Sequence, residues 1–220
     1  MIGRVADPGR RRRRSRGSAL VEMTLLIPAF LLIIFGMIEF GFVFDHNLTL
    51  EYATREGARM GAALATGGNT LNPCDTAGSI DPDPYIIAAV QRVLTSPGSP
   101  VASNISSVDK IMIWKSDPTA GATYGTPIAS ETNTWTYTGG GGSEPTVDGV
   151  KLKWSPPATR NWDPCERNNT SVPPDSIGVS LSYTYRLITP LAGVMKFFGP
   201  AGPATYSMSD RTVMSLNPTN

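Results

Sequence analysis

Residues 16–44, RGSALVEMTLLIPAFLLIIFGMIEFGFVF, decide how this chain is to be read. No charged side chain occurs from Met23 to Ile38, and with Glu39 tolerated the apolar block continues to Phe44. Wound as a helix, such a block covers about 33 to 38 Å, enough to cross a hydrocarbon core. Arginines precede it, at Arg4, Arg10 to Arg14 and Arg16. Under the positive-inside rule they keep the N-terminus cytoplasmic and send everything after Asp45 outward. Residues 1–17, with Pro8, Gly9 and no apolar periodicity, read as an unfolded basic leader. A secretory signal peptide shares the basic start and apolar middle. Its apolar region is shorter, however, and ends at a small-x-small cleavage site, whereas Phe40 to Phe44 lead directly into more helix.

Beyond the block the character changes. The chain has 220 residues, 40% of them hydrophobic, enough for one domain with its own core and extra segments. Asn47 to Thr66 contains no proline and is rich in helix formers, with Glu51 and Arg55 at i,i+4 in the favourable order. Ala53, Gly57, Gly61 and Ala65 form a stripe of small side chains. Such a stripe admits close approach of another helix or a sheet, and packing on the chain's own domain is the plainer reading. Gly67-Gly68-Asn69 stops the helix. A short amphipathic helix is predicted over Tyr85–Leu94, entered through Asp83-Pro84. Strands are predicted at Lys110–Lys115, Thr132–Tyr137, Val150–Trp154, Ile177–Leu187 and Tyr206–Leu216. In the fourth, Val179, Leu181, Tyr183 and Tyr185 alternate with Ser180, Ser182 and Thr184, the pattern of a half-buried strand. Gly139 to Gly142 reads as a flexible connection, with no phosphate-binding helix behind it.

Several function classes are disfavoured. The net charge of +1 hides an asymmetry: from Ser18 onward there are 12 basic and 17 acidic residues. Basic charge is thus confined to the leader, which argues against nucleic acid as a partner. His46 is the only histidine, so a Ser-His-Asp triad or a His-based zinc site lacks material, and no enzyme activity, cofactor or metal is expected. Asp81 and Asp83 lie in a proline-punctuated turn, where aspartate is common for turn reasons alone. Cys74 and Cys165 both fall in proline-rich stretches on the outward side of the anchor, where an oxidising compartment favours pairing them. Two free thiols are the alternative.

Charge inside the apolar block is the unusual feature. Glu22 lies just inside it and Glu39 in its second half, and a carboxylate at mid-bilayer costs about 2.5 to 3.5 kcal/mol on insertion scales. Each is therefore a candidate for pairing with another subunit in the membrane. Glu39 has a second reading, at the outer headgroup level near Asp45 and His46.

Arg16-Gly17-Ser18-Ala19-Leu20-Val21-Glu22, then Gly36-Met37-Ile38-Glu39-Phe40-Gly41 and Ala53-Thr54-Arg55-Glu56-Gly57-Ala58-Arg59, resemble the TadE-like pseudopilins of Tad/Flp (tight adherence) pilus systems. The likeness is strong over roughly residues 14–66. It is weaker at Tyr183-Thr184-Tyr185, Pro190 and the last strand with Met214, and nothing in 67–176 is matched. It implies cleavage by a prepilin peptidase after Gly17, leaving Ser18 as the new N-terminus with Glu22 at the fifth mature position. Cleavage makes a buried α-ammonium that a neighbouring subunit's Glu22 would neutralise, and in the helix's first turn the macrodipole favours that carboxylate. Met23 stands where major pilins often carry tyrosine, and those pilins are little more than a helix. The first departure bears on recognition by the peptidase; the second, the large ectodomain, points to a minor or assembly-related subunit.

The expectation is an α+β protein at the bacterial surface. A basic leader (1–17) precedes a transmembrane helix (18–45), its extracytoplasmic extension (46–66), and an exported domain (67–220) with a short helix and an antiparallel β-sheet. Its expected partners are the peptidase, other pilins or pseudopilins, inner-membrane pilus assembly proteins and membrane lipid. An anchored binding or adhesion module outside any pilus is the rival reading.

Overall fold

A computed structural model describes residues 9–64, 81–119, 124–169, 173–190, 193 and 205–216, with the backbone alone for 9–16. Helix α1 spans Gly9–Ala63. It begins earlier than expected, because arginine is a good helix former and no proline stands between Gly9 and Ser18. The arginine run is thus helical rather than unfolded. The stop at Gly67–Asn69 and Cys74 lie outside the described residues. The chain divides into two compact units, Met1–Phe42 with Leu187–Ala204, and Val43–Arg186 with Thr205–Asn220.

In the second unit a five-stranded antiparallel sheet has the order β5-β2-β1-β6-β7. The strands are β1 (Val108–Ser116), β2 (Pro127–Tyr137), β5 (Trp154–Ser155), β6 (Ser176–Arg186) and β7 (Thr205–Ser215). A separate hairpin joins β3 (Thr146–Val147) to β4 (Val150–Lys151). The strand expected over Val150–Trp154 is therefore split between two sheets. Leu152 N donates to Pro145 O at 3.0 Å, and the Lys153 carbonyl accepts from Thr138 and Gly139, so the backbone bonds of the middle residues leave the ladder.

Strand β6, between β1 and β7, contributes heavily to the core. Its alternating Val179, Leu181, Tyr183 and Tyr185 are buried as predicted, but Gly178 and Ser180 on the other face are buried too. The Trp114 indole, in register with Gly178, lies where a Cβ at that glycine would stand 2.3 Å from the ring, and its Nε1 donates to Ser180 Oγ at 3.2 Å. A residue without a side chain is required there.

Helix α2 (Pro82–Leu94) starts slightly earlier than predicted, because Asp81 caps it by accepting from Asp83 N at 3.1 Å and Pro82 suits the first turn. It buries Ile86, Ile87, Val90 and Leu94. In the α1 residues of this unit His46, Leu50, Ala53, Thr54, Gly57, Ala58 and Gly61 are buried, one helical stripe. Ala53, Gly57 and Gly61 of the small-residue stripe meet the chain's own domain, and Ala65 lies outside the described residues. An added Cβ at Gly57 would stand 2.6 Å from Val90 and 3.3 Å from Val179, and at Gly61 2.7 Å from Ile177. The Glu51–Arg55 pair forms at 2.5 Å, half in solvent and worth about 0.3 to 0.5 kcal/mol.

Candidate assembly site

The α1 residues of the first unit differ from those of the second. From Gly17 to Leu31 every residue is exposed, among them Leu20 (70%), Leu25 (73%) and Phe30 (64%). In water so much apolar surface is unfavourable; in lipid it is the expected state. Pro28 brings no N–H to the Thr24 carbonyl; separately, Thr24 Oγ1 donates to Leu20 O, one turn back, at 2.8 Å.

Gly17 and Ser18 sit on this exposed helix, and nothing lies within 4 Å of a Cβ built on Gly17. Glu22 is exposed as well and makes no hydrogen bond or ion pair among the described residues. Since α1 starts at Gly9, Glu22 lies well inside the helix of the intact chain. The macrodipole favours its charge only when the helix begins at Ser18.

Glu39 is placed differently. It is 3% exposed, and its two carboxylate oxygens accept the backbone N–H groups of Ile188 at 3.0 Å and Thr189 at 2.8 Å. The two glutamates of the apolar block are not brought together, and Glu39 has partners within its own chain. Sequence reasoning singled out Glu39 as a charge needing a partner, but no local signal named residues so far along the chain.

In the second unit, His46 packs between Tyr183 (5.5 Å between ring centroids) and Tyr185 (4.9 Å, edge-on), which seats this part of α1 on β6. Burial pushes the Tyr183 hydroxyl's pKa up, partly offset by a hydrogen bond with Asn104. Thr54 Oγ1 bonds to the Asp210 carboxylate and lies 3.0 Å from Thr212 Oγ1, tying the helix to β7.

Asp81 follows the turn reading as a helix cap, and Asp83 does not. The Asp83 carboxylate is buried against Arg167 at 2.5 Å, with both side chains 1% exposed, and accepts from Asn133 Nδ2 at 3.0 Å. The guanidinium lies 4.5 Å from the centroid of the Trp162 ring. Burial and the Asp83 charge raise the Asp81 carboxyl above its ordinary range, against the contrary pull of Arg160. This cluster holds the segment around Cys165 to α2 and β2. Its Asp83–Arg167 centre is closed to solvent, and no group of three or more metal-ligating side chains occurs among the described residues.

One N-terminal helix long and apolar enough to cross a membrane, in a chain that also folds an α+β domain, fits a single-pass, membrane-anchored class of protein. The model of the TadE-like protein family matches residues 17–59, which are thus a TadE-like segment, and this associates the chain with Tad pilus systems. The match starts at Gly17 and takes in Glu22, Glu39 and the buried stripe as far as Ala58; Tyr183–Tyr185 and Met214 lie outside it. No curated protein and no solved structure matches the chain.

Proposed function

We propose that the chain is a minor pseudopilin, a structural assembly subunit of a Tad-type pilus. It is made as a precursor with residues 1–17 as leader and cut after Gly17 by a prepilin peptidase. Residues 18–45 anchor it, 46–66 extend the helix, and 67–220 form the extracytoplasmic domain, the cut N-terminus having faced the cytoplasm. Its partners are pilins or other pseudopilins and the inner-membrane assembly proteins.

The observation that carries this reading is Glu22, a carboxylate on an otherwise bare apolar helix, without a partner among the described residues, inside the TadE-like segment. Left alone in lipid it is costly. Beside the Ser18 ammonium of a neighbouring subunit both charges are compensated. A folded sheet domain, far more than an anchor needs, favours a minor role. The pairing of Cys74 with Cys165 belongs to the same proposal. It is supported by the disulfide-bonded state of Cys165, and alkylation of both cysteines in the denatured, unreduced protein would rule it out.

The test is Glu22→Ala. Membrane insertion should be intact or improved, since a charge is removed from the apolar block. Association with pilus components and piliation should be lost, because breaking a buried pair costs about 3 to 5 kcal/mol. Unchanged co-purification and piliation would favour a plain anchored binding module instead.

A further inference from the structure

The chain leaves β6 at Arg186 and continues as Leu187-Ile188-Thr189-Pro190. Backbone groups beyond a strand end ordinarily turn to water. Here the donors are used locally. Ile188 N and Thr189 N donate to the two Glu39 oxygens at 3.0 and 2.8 Å, and Pro190 has no N–H. The Pro190 carbonyl accepts from Gly193 N at 2.9 Å. Ile188, by contrast, turns 63% of its surface outward, and Pro190 is exposed. An apolar side chain facing outward over a backbone whose Ile188 and Thr189 donors are already used suits lipid and gains nothing from water.

The height of Glu39 agrees. Ser18 to Glu39 spans about 32 Å of helix, against a hydrocarbon core of about 30 Å, so with Ser18 at one edge Glu39 stands at the other. Around it α1 exposes Met37 (72%) and Phe40 (75%). Leu187–Ala204 and Met1–Phe42 belong to one compact unit, and the Glu39 bonds hold the exposed Ile188 beside the anchor helix.

We propose that Ile188–Pro190 is a second membrane-contacting element, seated at the outer lipid interface and clipped to the anchor helix by the Glu39 carboxylate. Glu39 is then a positioning residue: its charge is spent inside the chain, while Glu22 stays available to another subunit. This rests on the reading of α1 as a membrane anchor.

The test uses the full chain in vesicles of phosphatidylethanolamine and phosphatidylglycerol containing lipids brominated at shallow or deep acyl positions. A fluorescent non-natural amino acid is placed at position 188, at position 30 in the anchor, or at position 124, where Tyr124 is exposed on the domain. Position 188 should be quenched by the shallow bromines and little by the deep ones, position 30 by the deep ones, and position 124 by neither. In Glu39→Ala the quenching at 188 should fall toward that at 124. Glu39→Gln, which keeps one acceptor oxygen, should retain part of it, with quenching at 30 unchanged in both variants. Quenching at 30 without quenching at 188 would overturn the lipid seat and leave the anchor standing. Absence of quenching at 30 would overturn the anchor reading and this inference with it. Undiminished quenching at 188 in Glu39→Ala would overturn the clip.

Discussion

Gly57 and Gly61 occupy successive turns of one α1 face, yet replacing each by alanine should have different consequences. A methyl at position 57 would stand 2.6 Å from Val90 Cγ2 and 3.3 Å from Val179 Cγ1. Val90 is fully buried, β-branched and inside α2, where one χ1 rotamer dominates, so it cannot swing away. A methyl at position 61 meets the Cδ1 atoms of Ile177 at 2.7 Å and Ile86 at 3.0 Å, the far ends of longer and more adaptable side chains. Both substitutions gain about 1 kcal/mol of helix propensity. Overpacking costs about 1 to 3 kcal/mol where the neighbours cannot yield. With the rigid 2.6 Å contact in the upper part of that range, about 2 to 3 kcal/mol, Gly57→Ala should lose about 1 to 2 kcal/mol net, and Gly61→Ala should stay within about 1 kcal/mol of wild type. For a chain of this size the former means a Tm lower by about 2 to 8 °C. Thermal melting of the detergent-solubilised chain, followed by near-ultraviolet circular dichroism, reads both. A Gly57→Ala protein melting at or above Gly61→Ala would refute the packing assigned to this stripe.

Arg167→Met should destabilise the domain by about 3 to 5 kcal/mol in urea denaturation, because it strands the buried Asp83 carboxylate. Adding Asp83→Asn to it should recover much of the loss, and a double variant no more stable than the single one would contradict the pairing. Glu144 is buried and accepts from Thr138 Oγ1 at 2.5 Å and Gly142 N at 2.9 Å, and chiefly the Thr138 bond lowers its carboxyl from 4.5 to about 2. A carboxyl depressed in the folded state stabilises above its unfolded value, so this contribution should be lost as pH falls from 4.5 to about 2. Glu144→Gln should flatten that part of the acid-stability curve, and an identical acid profile would count against the hydrogen bonds assigned to Glu144.

Helix α1 was legible because its apolar block and its small-residue stripe are long and uninterrupted, and β6 because Val179 to Tyr185 alternate strictly. What escaped depends on contacts distant in sequence. Ser180 looked solvent-facing because nothing local says that Trp114 crosses it and Gly178. Asp83 satisfied a turn rule as well as Asp81 did, and only the fold shows that its partner is Arg167. The β3–β4 hairpin did carry a local signal: Asp148-Gly149, at φ 51° and 78°, is the dipeptide preferred for two-residue hairpin turns. The run Val150 to Trp154 hid it by reading as one strand. Of the candidate site, Glu22 and Glu39 were visible as charges out of place. That Glu39 holds Ile188 and Thr189 was not, since those backbone groups carry no side-chain signature.

The central claim is that this chain is processed and used as a pilin-like subunit, and the mass of its mature N-terminus tests that most directly. In cells carrying a prepilin peptidase, the membrane-associated protein should begin at Ser18. Full-length chain alone in those cells, or a start near Ala63 to Ala65 as for an ordinary signal peptide, would contradict the account.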